Sequence, residues 1–357
     1  MVKELHTTCN ILQFLELAQT LPVVDVRSPS EYRQGHIAGA VNIPLFNDDE
    51  RAAVGTTYVQ VGRQEAVLQG LEFAGNKMHQ LCETAMALNS SHLLLYCWRG
   101  GMRSRSVAWL FEMAGLQCTA LEGGYKVFRR AVLDEMSAPR ELYVLSGFTG
   151  SGKTEILMEL KKLGQQVIDL EKLANHKGSA FGALGQPPQP STEQFENLLF
   201  ADLQKTDRAK PLWIEDESVN IGRIQMPSAF FDRMKRAETL QVIVPQPVRV
   251  QRLLMEYGNF DPVLLAESIK KIEKRLGYDR CKQALDLCAT GELAQTAKLL
   301  LDYYDKAYEF QISARLPEMV TRLTIPDEAS SAEIAIKIVN EKGYCTDINQ
   351  ERRKLSF

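Results

Sequence analysis

Residues 147–154 read GFTGSGKT, and the fold of everything downstream hangs on them. The stretch fits the pattern G-x-x-x-x-G-K-[ST] in the setting that pattern needs: the apolar run Leu142–Ser146 reads as a strand before it, and a helical run follows. Glycines let a backbone curl around phosphate so that successive N–H groups point inward. Gly147, Gly150, Ser151 and Gly152 would form that cradle. Lys153 would reach the distal phosphate, and the Thr154 hydroxyl would ligate Mg²⁺. Further apolar strands follow in QQVIDLE, PLWIEDES and LQVIVP, so this part reads as a P-loop α/β domain with a parallel sheet. PLWIEDES ends in Glu215, Asp216 and Glu217; Glu215 and Asp216 are candidates for work on Mg²⁺, directly or through water, with a solvated strand end as the competing reading.

Upstream, SAPR at 137–140 is a polar, proline-bearing connector. It divides the chain into expected domains at 1–137 and 138–357. The first alternates strands and helices (LPVVDVRS, GHIAGAVNIP, HLLLYC, RSVAWLFEMAG, CTALEGGY), which implies a second parallel sheet with helices on its faces. Its most unusual stretch is LLYCWRGGMRSRS, 94–106. A buried strand leads into Cys97, and a short basic loop with Arg99, Gly100, Gly101, Arg103, Ser104 and Arg105 runs into a helix. Such a loop would aim backbone N–H groups at an anion and keep the thiol ionised. A structural turn with a buried cysteine is the alternative.

Composition narrows the class. The chain has 357 residues, 45% hydrophobic and 24% charged, with a formal net charge of −3. No apolar run approaches a membrane span, and the N-terminus lacks a cleavable apolar signal. Seven scattered cysteines (Cys9, Cys82, Cys97, Cys118, Cys281, Cys288, Cys345) without a C-x-x-C pair, and dispersed histidines, argue for a reducing cytoplasm and against disulfides or a structural metal site. Nucleic-acid binding would have to use local patches. Arg99, Arg103 and Arg105 form one, and Lys126, Arg129 and Arg130 another. Residues 248–315 read as a helical insertion or extension, in which Lys270, Lys271, Lys274 and Arg275 would line one helix face, for a polyanion or for solvent. Tyr304 and Tyr308 lie four apart, for base stacking or helix packing, and 178–191 is a Gly/Pro-rich loop long enough to cover a site.

Two stretches, DVRSPSEYRQGHIAGAVNIP and YCWRGGMRS, resemble the entry signature and active-site loop of the rhodanese fold. With the P-loop downstream and NDDERAAVGTTY, LEGGYKVFR, HKGSAFGALGQPPQPSTEQFENLL and WIEDESVNIGR, the chain resembles the tRNA 2-selenouridine synthase family over nearly its whole length. The resemblance implies replacement of sulfur by selenium in a wobble 2-thiouridine of tRNA, through an S-geranyl intermediate made from geranyl diphosphate, with selenophosphate as selenium donor. It also implies a functional link to a selenophosphate-producing enzyme. In that chemistry Cys97 would accept selenium as an S-selanyl group, and Lys153 with Mg²⁺ on Thr154 would hold the diphosphate. Phe148, Phe181 and Phe195 are candidates for an apolar channel taking the geranyl tail, and Arg105, Lys126, Arg129, Arg130, Lys271 and Lys274 for tRNA contacts. Asp25, Arg27 and His36 would shape the fold.

Five residues separate Cys97 from Arg103, and Ser104 follows. That spacing resembles the phosphate-cradling loop of cysteine-dependent phosphatases. It suits selenophosphate, and it leaves two alternatives: a phosphatase with Asp48 or Asp49 as general acid, and a P-loop kinase or NTPase that carries a regulatory rhodanese module and uses Arg249 and Arg252.

Overall fold

The computed structural model describes residues 7–326 and 329–341; Cys345 lies outside them. The chain divides into two compact units, one running to Met136 and including Glu196–Ala201, the other holding Ser137–Phe195 and everything from Asp202 onward.

The first unit runs β1 (Thr7–Cys9), α1 (Ile11–Leu17), β2 (Val23–Asp25), α2 (Pro29–Gln34), β3 (Val41–Asn42), α3 (Asp48–Gln60), α4 (Arg63–Gly75), α5 (Met78–Met86), β4 (His92–Tyr96), α6 (Met102–Met113), β5 (Gln117–Leu121) and α7 (Gly124–Ser137). Its sheet has the order β1-β5-β4-β2-β3, with every pairing parallel. β4 is central, and Leu93–Tyr96 are buried without alternation, as expected for a strand covered on both faces. The chain leaves β4 toward β5 but leaves β2 toward β3, on the opposite side. The loop after β4 therefore opens where connections diverge, the usual ligand crevice of an open parallel sheet. Asp25 and Arg27 are buried and paired at 2.6 Å, and the Arg27 guanidinium also donates to Gly35 O and lies 3.7 Å from the Tyr125 ring centre. They brace the fold, as expected. Helices α3 to α5 had no counterpart in the strand–helix reading, because α3 and α4 bury few side chains and carry little apolar periodicity.

The second unit runs β6 (Leu142–Gly147), α8 (Lys153–Lys162), β7 (Gln166–Val167), α9 (Leu170–Ala174), α10 (Thr192–Leu203, whose 196–201 segment packs in the first unit), β8 (Leu212–Glu215), the two-stranded β9 (Asn220–Ile221) and β10 (Ile224–Gln225), α11 (Ser228–Arg236), β11 (Glu238–Ile243), α12 (Gln246–Tyr257), α13 (Pro262–Lys271), α14 (Glu273–Leu276), α15 (Tyr278–Ala289), α16 (Leu293–Ser313), β12 (Val320–Thr324) and α17 (Ser331–Glu341). Its sheet is parallel in the order β12-β11-β6-β8-β7, with the strand before GFTGSGKT at the centre. The helical region is present as α12 to α16. One expectation fails there. Lys271 and Lys274 do not share a helix: the buried Ile272 breaks the run, leaving Lys270 and Lys271 on α13 and Lys274 and Arg275 on α14, all exposed.

Candidate active site: two anion loops

In the first unit the Cys97 thiol lies on the floor of the loop between β4 and α6, 3% exposed. The loop's carbonyls face away from it, because α7 satisfies them: Tyr125 N–H donates to Cys97 O at 2.8 Å and Lys126 N–H to Trp98 O at 3.0 Å. Close approach requires glycine on both sides. Gly100 and Gly124 have φ of +62° and +60°, and a Cβ on Gly124 would stand 2.3 Å from Cys97 O. The paired glycines of LEGGY thus have a physical reason. Gly101 N–H donates to Cys97 Sγ at 3.3 Å, and Ser104 Oγ lies 3.2 Å from it. Burial pushes the thiol pKa up, but the Ser104 hydroxyl and amide, the Arg103 charge and the Arg99 amide outweigh it, and the thiol ends below its ordinary value.

The loop's cations have separate duties. Arg103 is mostly buried and bonded to Glu31 at 2.7 Å, which fixes it beside the thiol. Arg99, Arg105, Lys126 and Arg130 are exposed. Arg129 is engaged by Glu196 and by Asn197 Oδ1 at 2.6 Å, and Asn197 also donates to Tyr125 Oη and His36 O. Arg129 therefore serves the packing of this unit. Asp48 accepts from Ser30 N at 2.7 Å and Arg33 at 3.0 Å, and these bonds, led by those to Ser30, hold its carboxyl well below the usual range. A carboxylate so held is a poor general acid, which leaves Asp49 as the candidate of the phosphatase alternative.

In the second unit Gly150 and Gly152 take φ of +78° and +81°. A Cβ on Gly152 would fall 2.5 Å from the Arg252 guanidinium, which donates to Ser151 O at 2.6 Å. The cradle opens into a cavity of about 630 Å³ lined by residues 149–155, Glu171, Lys177, Arg252, Tyr304 and Tyr308, among others. Lys153 donates to Gly147 O at 3.0 Å and stands 5.3 Å from the Tyr308 ring centre. Burial disfavours its charge, but Tyr308, Glu171, Glu217 and Asp216 more than offset that and keep it protonated. Tyr304 and Tyr308 therefore line the cavity.

The expected Mg²⁺ partners fare unequally. Thr154 lines the cavity. Glu215 turns its carboxylate to Leu170 N–H at 3.0 Å, and burial pushes its pKa well up. Asp216 gives one oxygen to Ser146 at 2.7 Å and the other to Arg315 at 2.6 Å. Asp216 therefore has both oxygens engaged, whereas Glu215 keeps Oε1 buried without a hydrogen-bond partner. Glu171, Glu217 and Asp216 all act on Lys153, and Glu171 and Glu217 also interact with each other. Glu171 was missed; its one signal is Gly178 of HKG, where a Cβ would meet Glu217 and Glu171 oxygens at 2.9–3.0 Å.

A smaller apolar pocket of about 70 Å³ adjoins the cavity and shares Thr149, Ser179, Leu253, Tyr257 and Tyr304 with it. Phe181, Leu254, Leu265, Ile269 and Leu300 complete much of its wall. Of the three phenylalanines expected there, only Phe181 lines it. Phe148 lies under the Arg249 guanidinium at 5.1 Å, and Phe195 is fully buried.

A thiol in a phosphate-sized loop on a rhodanese-type sheet, followed by a P-loop sheet, defines a two-domain rhodanese/P-loop protein. Residues 11–131 match the rhodanese-like domain family, and residues 140–261 match the family described as tRNA 2-selenouridine synthase AAA domain. The protein named tRNA 2-selenouridine synthase from Nitrosomonas europaea is 37% identical over 269 residues, covering 73% of this chain and 69% of that protein. The one from Bdellovibrio bacteriovorus is 43% identical over 265 residues, covering 71% and 67%. The one from Shewanella sediminis is 34% identical over 336 residues, covering 84% and 90%. The chain belongs to the tRNA 2-selenouridine synthase family.

Proposed function

We propose that this chain replaces the sulfur of a wobble 2-thiouridine in tRNA by selenium in two stages, S-geranylation from geranyl diphosphate and then exchange with selenium derived from selenophosphate. A thiocarbonyl is a poor leaving group. Alkylation makes the sulfur a better one and the ring carbon more electrophilic. In the first stage the sulfur attacks the prenyl carbon, the carbon–oxygen bond breaks, and diphosphate leaves with the electron pair. The P-loop amides, Lys153 and Arg252 meet the charge that develops. In the second stage Cys97, as a thiolate held by Ser104 and the loop amides, attacks the phosphorus of selenophosphate, and the phosphorus–selenium bond breaks to release selenide. Selenide attacks the ring carbon, and the geranyl thiolate leaves with the electron pair. Water cleaves the S-phosphocysteine to phosphate and free thiol. A selenophosphate-producing enzyme must supply the donor.

The observation that carries the first stage is the apolar pocket adjoining the diphosphate cradle. A nucleoside triphosphate has no hydrocarbon tail to place there. Mass spectrometry of digested tRNA tests the reading. Cys97→Ser should accumulate the geranylated nucleoside, whereas Lys153→Ala should leave the thiouridine and still convert tRNA that is already geranylated. Loss of both stages in a folded, tRNA-binding Cys97→Ser protein, or tRNA-stimulated ATP turnover, would overturn it.

A further inference from the structure

Trp98 follows the nucleophile directly, yet its side chain is 39% exposed. Capture of a small tetrahedral anion does not require it, since the loop amides, Ser104 and Arg103 already surround the thiol. The indole is nevertheless held firmly. The main-chain carbonyl of Trp98 accepts from Lys126 N–H, and the indole ring is backed by Tyr125 at 5.7 Å. Tyr125 is fully buried between Tyr96 at 6.0 Å and Phe128 at 5.7 Å, with the Arg27 guanidinium over its ring. Exposed cations surround it in sequence, at Arg99 and Arg105 on the loop and helix that follow and at Lys126 and Arg130 on α7. A rigid, half-open aromatic ring among cations is how proteins hold an unstacked base while its backbone phosphates are neutralised nearby. The buried thiol sets the same demand from the other side, because a base of an RNA must leave its stack before its ring carbon can approach an enclosed nucleophile.

We propose that Trp98 is the stacking platform for the target nucleobase of the RNA while the Cys97 loop acts on it. The inference rests on the reading of Cys97 as the nucleophile that releases selenium from its donor. The test uses the full-length chain in a Trp109→Phe background, which leaves Trp98 and the buried Trp213 as fluorophores. Titration with an anticodon stem-loop carrying S-geranyl-2-thiouridine should quench the emission saturably, and Trp98→Phe should remove that quenching. In the selenium-exchange stage, Trp98→Ala should raise KM for this RNA about 5- to 150-fold with a much smaller change in kcat, and Trp98→Phe should recover most of the loss. The rate of Cys97 alkylation by iodoacetamide should be the same in all three proteins, which marks an intact loop. An unchanged KM in Trp98→Ala, absence of quenching, or failure of phenylalanine to rescue overturns the platform. If quenching and the KM effect appear but Cys97→Ser still exchanges selenium, the assignment of Cys97 falls and the platform stands.

Discussion

The acidity of Cys97 is the residue-scale property on which the second stage depends. Burial opposes ionisation, so the lowered pKa exists only because the Ser104 hydroxyl and amide, the Arg103 charge and the Arg99 amide overcome it. The thiolate is therefore present at a lower pH than for an ordinary cysteine, and the pH profile of Cys97 alkylation should have its midpoint on the acid side of the usual thiol value. Ser104→Ala removes one stabilising hydrogen bond, and Arg103→Gln removes the positive charge. Each should move the midpoint toward alkaline pH and cut selenium exchange at neutral pH. A midpoint indifferent to both substitutions would show that the ionisation has another source. The other nearby carboxyl, Glu31, holds Arg103 in place, so Glu31→Gln should move the profile in the same direction by loosening that side chain.

At the scale of elements, the two loops depend on contacts far away in sequence. The N-terminus of α7 donates to the Cys97 loop, and Gly124 has no room for a side chain there. Gly124→Ala should cost about 1–3 kcal/mol for the left-handed backbone alone. The clash with Cys97 O adds to that, so the melting temperature should fall and the acidic alkylation profile of Cys97 should be lost. The proposed binding of geranyl diphosphate by the other unit should survive. In that unit the segment just after α16 is tied to the end of β8 by the buried pair Arg315–Asp216. Arg315→Met strands a buried carboxylate beside Ser146 and should destabilise by about 3–5 kcal/mol in a denaturant titration. Adding Asp216→Asn should restore part of the loss, since the uncompensated charge is then gone. A double variant as unstable as the single one would mean that the pair contributes through shape and not charge.

At the scale of the whole molecule, an acidic chain must bind a polyanion through patches. Of the cations considered for tRNA, Arg99, Arg105, Lys126 and Arg130 in one unit and Lys270, Lys271, Lys274 and Arg275 in the other are exposed, while Arg103 and Arg129 are engaged by internal partners. Log affinity for tRNA should fall steeply with log salt, by about 0.7 per phosphate contact for single-stranded regions. Lys126→Ala or Arg130→Ala should flatten that slope by about one contact each, and Arg129→Gln should leave it unchanged; a flat titration of the unaltered protein would remove the patches from consideration. This division of the cations marks the limit of what a linear chain shows. GFTGSGKT and YCWRGGMRS revealed both sheets and both anion loops, because a phosphate cradle is a local backbone device whose glycines, lysine and hydroxyl are contiguous. Apolar runs around them likewise set the strands, since burial on both faces leaves little choice of residue. Which carboxylates interact with Lys153, which arginines remain in water, and where an apolar pocket meets the cradle are relations among residues far apart in the chain. Glu171, far from the strand end in sequence, joins Glu217 and Asp216 around Lys153, while Glu215 turns one oxygen to Leu170 N–H and Asp216 also binds Ser146 and Arg315. Charge and hydrogen bonding are settled by whichever partner packing brings within about 3 Å, and only the tertiary structure decides that.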